Sequence, residues 1–168
     1  MLAGIALLAA LLQPSPLSLR FEASYLQPTN DAVARGLGGG FGASYRLTDQ
    51  ISVVASATQN VVWTQNGQPA GAPRGSRSLS LFSAGAQAVL DATPIAPFLE
   101  ATLVDLAPKA VAGYAIAARI GFGADWAFLP AWALGLAIRS FSPLDTPGGI
   151  TALGGAEIAA RLVWTPAF

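Results

Sequence analysis

Apolar and polar residues alternate along most of the chain, and the pattern is first clear in the stretch LSLRFEASYL. Its odd positions are apolar, whereas Arg20 and Glu22 lie between them. Side chains of a β-strand point alternately to its two faces, so the pattern predicts one strand with an apolar face and a polar face. The stretch GLGGGFGASYRLT repeats the pattern, because Phe41 and Tyr45 alternate with glycine, serine and arginine.

Six further segments complete a predicted set of eight strands. In the second of them the alternation changes phase near Leu81 and Phe82, which we attribute to a β-bulge, an extra residue inserted into one strand. Pro97 lies in the next segment, where it removes one backbone hydrogen-bond donor from the sheet. The six segments lie at about 51–63, 77–91, 95–105, 114–126, 132–139 and 157–168.

The connections between these segments alternate in length. Those around 28–35, 64–76, 106–111 and 142–149 are longer and rich in Pro, Gly, Asn, Asp or Gln, whereas those at 48–50, 92–94 and 127–130 are tight. Short turns at one end and longer loops at the other are typical of a membrane barrel. The predicted fold is therefore all-β, an eight-stranded antiparallel up-and-down barrel.

Composition decides which face points outward, since a soluble barrel that binds lipid inside would alternate in the same way. Most aromatic residues fall on the apolar face, and the polar face is mostly Gly, Ala, Ser and Thr. An eight-stranded barrel is just wide enough for its own side chains, so the small residues are predicted to point inward and the barrel to be transmembrane. The predicted membrane-interface aromatics are Tyr25, Trp63 and Tyr114 at the long-loop end, and Tyr45, Trp126, Trp132 and Trp164 at the tight-turn end.

Charged residues are few, 11% of the chain, and most fall on inward positions of the predicted strands. Charges of nearly balanced sign in a narrow barrel are expected to pair, because an unpaired buried charge is very unfavourable. We therefore predict a polar network that plugs the interior; general acid chemistry or an ion path is the alternative use of the same groups. The predicted network consists of Arg20, Glu22, Arg46, Glu100, Arg119, Asp125, Arg139, Glu157 and Arg161.

Composition also excludes several classes of function. The nine acidic and nine basic residues cancel, so the chain has no electrostatic footprint for nucleic acid. It contains no cysteine, which removes disulfides, thiolate catalysis and zinc-thiolate sites together, and it contains no histidine. No metal or other cofactor is therefore expected.

The first residues, MLAGIALLAALLQPSPLS, contain an apolar run that is too short to span a bilayer as a helix. We interpret residues 1–16 as a signal peptide for export and residues 17–168 as the barrel domain. A buried first helix is the alternative interpretation of the run.

An export signal, eight alternating strands, two aromatic belts and a terminal phenylalanine together resemble the small outer-membrane β-barrels of Gram-negative bacteria, the group that includes outer membrane proteins A, X and W. The resemblance implies a monomer in the bacterial outer membrane, in contact with the lipid bilayer. It also implies that the last strand, through Leu162, Trp164 and Phe168, carries the signal that the barrel assembly machinery recognises.

The same resemblance leaves several functions open: structural anchors, surface adhesins, narrow conduits and lipid-modifying enzymes. The enzymes of that group resemble one another in using a histidine with a serine. This chain has no histidine, and Lys109, its single lysine, lies in a predicted loop, so no enzymatic activity is expected. A structural or surface-interaction role is predicted, with a narrow channel for small or hydrophobic solutes as the alternative.

Basic residues near the long-loop rim suggest one further partner. They could bind the phosphates of lipopolysaccharide, but acidic residues share the rim, so a merely solvated rim is the alternative. The basic residues are Arg35, Arg74, Arg77 and Lys109, and the acidic ones are Asp31, Asp105 and Asp145.

Overall fold

The computed structural model describes residues 16–28, 35–63, 76–90, 94–108, 115–144 and 155–166. These residues form eight strands: β1 (Leu17–Pro28), β2 (Arg35–Arg46), β3 (Ile51–Trp63), β4 (Ser76–Val89), β5 (Ile95–Pro108), β6 (Ala115–Leu129), β7 (Trp132–Pro143) and β8 (Gly155–Trp164). Nowhere in this part of the chain is there a helix long and apolar enough to cross a membrane.

The strands close into a single barrel. Each strand pairs antiparallel with the next one along the chain, and β8 pairs antiparallel with β1. The predicted all-β, eight-stranded, antiparallel up-and-down barrel is therefore confirmed. Closure removes the two unpaired edges that an open sheet would expose, which is how strands can cross a bilayer without unsatisfied backbone groups.

The alternation of side chains follows the sequence pattern in most strands. In β1, Phe21 and Ala23 are exposed on the outer wall, and Arg20 and Glu22 are buried in the interior. The same alternation of exposed and buried residues runs through β7 and β8. Large apolar side chains thus cover the outer wall, as a lipid-facing surface requires.

The β-bulge predicted near Leu81 and Phe82 is wrong. Strand β4 pairs with β3 and β5 in continuous register along its length, and Phe82 lies on the outer wall. Leu79 and Leu81 therefore point inward, each 3% exposed, while Ser80 on the same strand points outward. The half of β4 nearer the long loops has apolar residues inside and polar residues outside, which produces the change of phase in the sequence. The two interior leucines pack there with other apolar side chains.

The irregularity in strand pairing lies instead near the end of β6. The register between β6 and β7 shifts between Ala127 and Leu129, just before the tight turn that leads to Trp132. Strand β5 also runs three residues beyond its predicted end, to Pro108. Asp105, predicted at the loop rim, consequently lies within β5, directly opposite the outward-facing Phe82.

Pro97 is accommodated where the pairing between β4 and β5 ends. The last pair between these strands is Val89 with Phe98, one residue before Pro97 is reached. The carbonyl oxygen of Pro97 accepts a hydrogen bond from the backbone nitrogen of Leu90 at 2.8 Å. Proline keeps its carbonyl acceptor and lacks only the amide donor. On its other side Pro97 is paired with Ala124 of β6.

The described aromatics predicted for the membrane interface lie on the outer wall. Tyr45, Trp63 and Trp126 are exposed, and the half-buried Trp132 and Trp164 rings lie 6.2 Å apart between centroids. Several predicted features fall outside the described residues: the signal peptide up to residue 15, Tyr114, Phe168, and the rim residues Asp31, Arg74, Lys109 and Asp145.

Candidate functional site in the barrel interior

Most of the charged residues predicted to point inward are brought together by five strands. We call this group the ion cluster; every member is at least 94% buried, and they come from β1, β5, β6, β7 and β8. The barrel is narrow enough for side chains from opposite walls to meet, which is why residues far apart in sequence come into contact. The ion cluster consists of Arg20, Glu22, Glu100, Arg119, Arg139 and Glu157.

Arg139 lies at the centre of the ion cluster. Its two terminal nitrogens donate hydrogen bonds of 2.7 and 2.6 Å to the two carboxylate oxygens of Glu22. Its Nε lies 2.7 Å from Glu100 Oε1, and its Nη1 lies 3.6 Å from Glu157 Oε1. A paired, two-pronged contact between guanidinium and carboxylate is among the strongest hydrogen-bonded arrangements in proteins. Arg139 therefore joins β7 to β1 and β5 across the interior and to its neighbour β8.

Two further arginines surround this centre. Arg119 lies 3.6 Å from Glu100 and 3.5 Å from Glu157. Its Nε and Nη2 also donate hydrogen bonds to Thr102 at 3.1 Å and to Ser83 at 2.8 Å. Arg20 lies 3.6 Å from Glu100 and donates a longer bond, 3.4 Å, to Gln87, so a neutral side chain of β4 also takes part.

A separate ion pair lies nearer the tight-turn end. Arg161 donates a 2.9 Å hydrogen bond to Asp125, and its guanidinium carbon lies 4.1 Å from the centre of the Phe98 ring. Arg46, which we predicted to belong to the interior network, is exposed at the end of β2. It lines the mouth of the barrel at that end instead of joining the ion cluster.

Glycines make room for both sets of ion pairs. Gly121 is paired with Glu100 on one side and with Arg139 on the other. A Cβ at Gly121 would lie 2.7 Å from Arg139 Cγ and 3.1 Å from Glu100 Cγ, so the two charged side chains meet over a position that has no side chain. Gly135 is placed in the same way between Asp125 and Arg161.

A second interior layer, between the ion cluster and the long-loop end, is apolar. All its members are at most 6% exposed and lie in contact, and we call them the apolar layer: Leu26, Val62, Leu79, Leu81, Val104, Ala117 and Phe141. Sequence reasoning missed this layer, because it expected small or polar residues inside. The alternation of Leu79 and Leu81 with serines is the sequence signal of this layer, and the bulge predicted there obscures it.

The interior opens as a small vestibule at the tight-turn end. Its volume is about 200 Å³, and its lining includes Ser18, Ser44, Arg46, Asp125 and Arg161. Among the described residues, no group of three or more metal-ligating side chains is close enough to hold a metal ion.

The closed eight-stranded sheet, its apolar outer wall and the ion cluster inside it give the chain the fold of small transmembrane β-barrels of the outer-membrane type. Solved structures of such proteins match nearly the whole chain. Neisserial surface protein A matches at 17% identity and a TM-score of 0.68, over 92% of this chain and 98% of that one. The N-terminal barrel domain of Pseudomonas aeruginosa OprF matches at 16% identity and a TM-score of 0.57, over 92% and 100%.

A third match extends the range of organisms. The attachment invasion locus protein Ail of Yersinia pestis matches at 9% identity and a TM-score of 0.51, covering 89% of this chain and 96% of that one. No protein-family model matches the chain, and no curated protein matches it in sequence. At these identities the comparisons establish the fold, and function has to be argued from the residues of this chain.

Proposed function

We propose that the chain is a closed scaffold of the bacterial outer membrane, with a structural or surface-interaction role and without enzymatic activity. The observation that carries the proposal is the bridging of the interior by Arg139, which contacts carboxylates of β1, β5 and β8 at once. Opening a path through this point would separate buried opposite charges, and breaking one partner out of a buried pair is strongly unfavourable.

The apolar layer supports the same proposal. Ion pairs alone can be hydrated, but a narrow constriction lined by leucine, valine and phenylalanine closes a pore by excluding water. Leu26 and Val104 in this layer are at most 2% exposed. A solute that entered from the long-loop end would therefore meet an apolar barrier before it reached the charged groups.

The experiment that tests closure is single-channel conductance of the mature chain refolded in a planar bilayer. Folding is first verified by far-UV circular dichroism and by a heat-dependent gel shift. We expect no steady openings from the verified barrel. Reproducible openings that change when Arg139 or Glu100 becomes Ala, but not when the exposed Arg46 becomes Ala, would overturn the proposal and support a conducting interior.

A narrow channel for small or hydrophobic solutes is the second candidate, and the vestibule of about 200 Å³ is the observation that favours it. The vestibule leads from the tight-turn end toward Arg161 and Asp125. If it is the entrance to a path, the unaltered barrel should conduct in the bilayer experiment, and Leu81→Gly, which thins the apolar layer, should raise that conductance. An unaltered barrel that stays silent would refute the channel candidate.

We also propose that the two ends of the chain serve targeting and assembly. Leu162 and Trp164 lie on the outer wall of β8, beside Leu134 and Trp132 of β7, and with Phe168 they would form the signal for the barrel assembly machinery. Residues 1–16 would be removed on export, which N-terminal sequencing of the protein from outer membranes tests directly. A monomer in the membrane, with lipopolysaccharide phosphates at the basic rim residue Arg35, completes the proposal.

A further inference from the structure

The outer wall determines how deep the barrel lies in the bilayer. From the tight-turn end of β5 the outward residues are apolar from Ile95 to Leu103, and Asp105 is the first polar one. On β4 the first polar outward residue is Ser80, ten residues from Leu90 at the tight turn. Ten residues of a strand tilted by about 35–45° rise about 25 Å, which is the full height of the apolar band of such barrels. The band therefore begins at the tight turns themselves.

Large apolar side chains are exposed at the three tight turns. Leu47, Leu90 and Leu129 lie one at each turn, and each is more than half exposed. Apolar groups of this size are favourable among lipids and unfavourable in water. The mouth of the vestibule opens at the same end of the barrel. It therefore faces the headgroup layer of the leaflet at the tight-turn end.

Two side chains of opposite charge lie at this mouth. Arg46 is the last residue of β2, Asp49 follows in the turn, and both are exposed and line the vestibule. Their side chains make no ion pair and no hydrogen bond with other described residues. The turn is held by bonds of 2.8 and 3.1 Å from the backbone nitrogens of Leu47 and Thr48 to the Ile51 carbonyl oxygen. A cation and an anion are thus held three residues apart at one edge of the mouth.

The chemistry of the mouth indicates what it can bind. The guanidinium of Arg46 offers a planar fork of N–H donors, which suits a phosphate. Ser52 is the strand partner of Arg46, and both Ser44 and Ser52 line the vestibule. Their hydroxyls and the Asp49 carboxylate offer acceptors for a primary ammonium, which has three N–H donors. One ligand that carries a phosphate and a primary ammonium close together would satisfy both sets of groups.

We propose that the mouth of the vestibule binds the headgroup of a zwitterionic phospholipid with a primary ammonium, of the phosphatidylethanolamine type. The phosphate lies at Arg46, and the ammonium lies inside the mouth at Asp49, Ser44 and Ser52. The acyl chains lie on the outer wall beside Leu47, the exposed neighbour of Arg46. The site goes beyond the proposed scaffold role and does not depend on whether the interior conducts.

The test is competition between two lipids for the refolded full barrel in detergent, measured by native mass spectrometry. The probes are phosphatidylethanolamine and phosphatidylglycerol with the same acyl chains, which share the phosphate but differ in the ammonium. We expect phosphatidylethanolamine to be retained about two- to fivefold more strongly, the effect of one exposed ion pair. Asp49→Asn should remove this preference. Arg46→Gln should weaken the retention of both lipids alike, because both carry the phosphate.

A matched control and a depth measurement locate the site. Asp105→Asn removes a carboxylate from the outer wall at the long-loop end, and the preference should persist in that variant. The chain contains no cysteine, so Leu47→Cys and Leu90→Cys can each carry a single nitroxide label. In vesicles of the two lipids, we expect electron paramagnetic resonance to show stronger relaxation of both labels by oxygen than by a water-soluble nickel chelate.

Four results would overturn the proposal. Equal retention of the two lipids would remove the role of the ammonium, and a preference that survives Asp49→Asn would remove the role of the carboxylate. Displacement of phosphatidylethanolamine by excess soluble phosphoethanolamine would assign the mouth to a free solute. Labels at positions 47 and 90 that the nickel chelate relaxes more strongly than oxygen would place the mouth in water. None of these readouts is a conductance, so this proposal and that of a closed interior fail separately.

Discussion

Replacing Arg139 by Met should destabilise the barrel more than any other single loss of an interior charge. Arg139 is 1% exposed and lies within 3.6 Å of three carboxylates. Methionine fills part of the space but removes the positive charge, so Glu22 loses both of its short hydrogen bonds. Breaking a buried pair by removing one partner costs about 3–5 kcal/mol, and we expect the free energy of unfolding to fall by that amount.

The assay is reversible urea unfolding in lipid vesicles, followed by the fluorescence of the four tryptophans. Arg46→Met is the matched control, because Arg46 is an exposed arginine at the end of β2, and we expect it to change the free energy of unfolding by less than about 1 kcal/mol. Equal stability of Arg139→Met and the unaltered chain would show that the ion cluster is not a coupled unit. So would an equal loss in the two variants.

A double-mutant cycle sharpens the prediction. In the Arg139→Met variant the buried carboxylate of Glu22 has lost its partner. If that unpaired charge causes the loss of stability, adding Glu22→Gln should restore part of it. We expect a coupling energy of about 1–3 kcal/mol between these residues, which is within the range for groups in one hydrogen-bonded network. Additive effects would instead show that each charge is stabilised independently by the remaining residues of the cluster.

Two further predictions rest on the geometry of the barrel and one on the terminal sequence. Gly121→Ala should lower the free energy of unfolding by about 1–3 kcal/mol, because its Cβ would press on Arg139 and Glu100; an unchanged urea midpoint would contradict this. Trp164→Leu removes the ring paired with Trp132 at 6.2 Å, and a double-mutant cycle with Trp132→Leu should give a coupling energy of about 0.5–1.5 kcal/mol; additive losses would contradict a ring–ring contact. Removing Phe168 should slow insertion into proteoliposomes that contain the barrel assembly machinery but not spontaneous refolding in detergent, and equal slowing in both would refute a signalling role.

The eight strands and their closure could be predicted from the sequence because one face meets lipid and the other a crowded interior. That difference makes apolar and polar residues alternate along each strand. The connections between strands are alternately tight and long, which marks the two ends of the barrel. In β4 the rule failed, since Leu79 and Leu81 fill the interior while two serines of β4 bond Gln59 of β3 on the outside. The sequence pattern shows a change of phase in β4. A bulge and a strand with apolar residues on its inner face would both produce it, and only the pairing of β4 with its neighbours distinguishes them.

The members of the ion cluster were predictable, but their partners were not. Arg139 is directly opposite Glu157 on the neighbouring strand, yet its short contacts are with Glu22 and Glu100. Those contacts depend on which residues face each other across the interior and over the gap at Gly121, and alternation along one strand contains no such information. Arg46 shares the inward phase, but its place at the last position of β2 leaves it in the mouth.

The contact between Glu22 and Arg139 also has a consequence for how the barrel forms. It joins residues 117 positions apart, from the first strand to the seventh. Before β1 and β8 pair, the two edges of the sheet are separated, and we expect Glu22 and Arg139 to remain in water. Strand pairing is then still reversible. Contacts this distant in sequence form late and slow the rate of folding. We therefore expect the pairing of β8 with β1 to be the step that excludes water from the interior and makes insertion irreversible on the timescale of assembly.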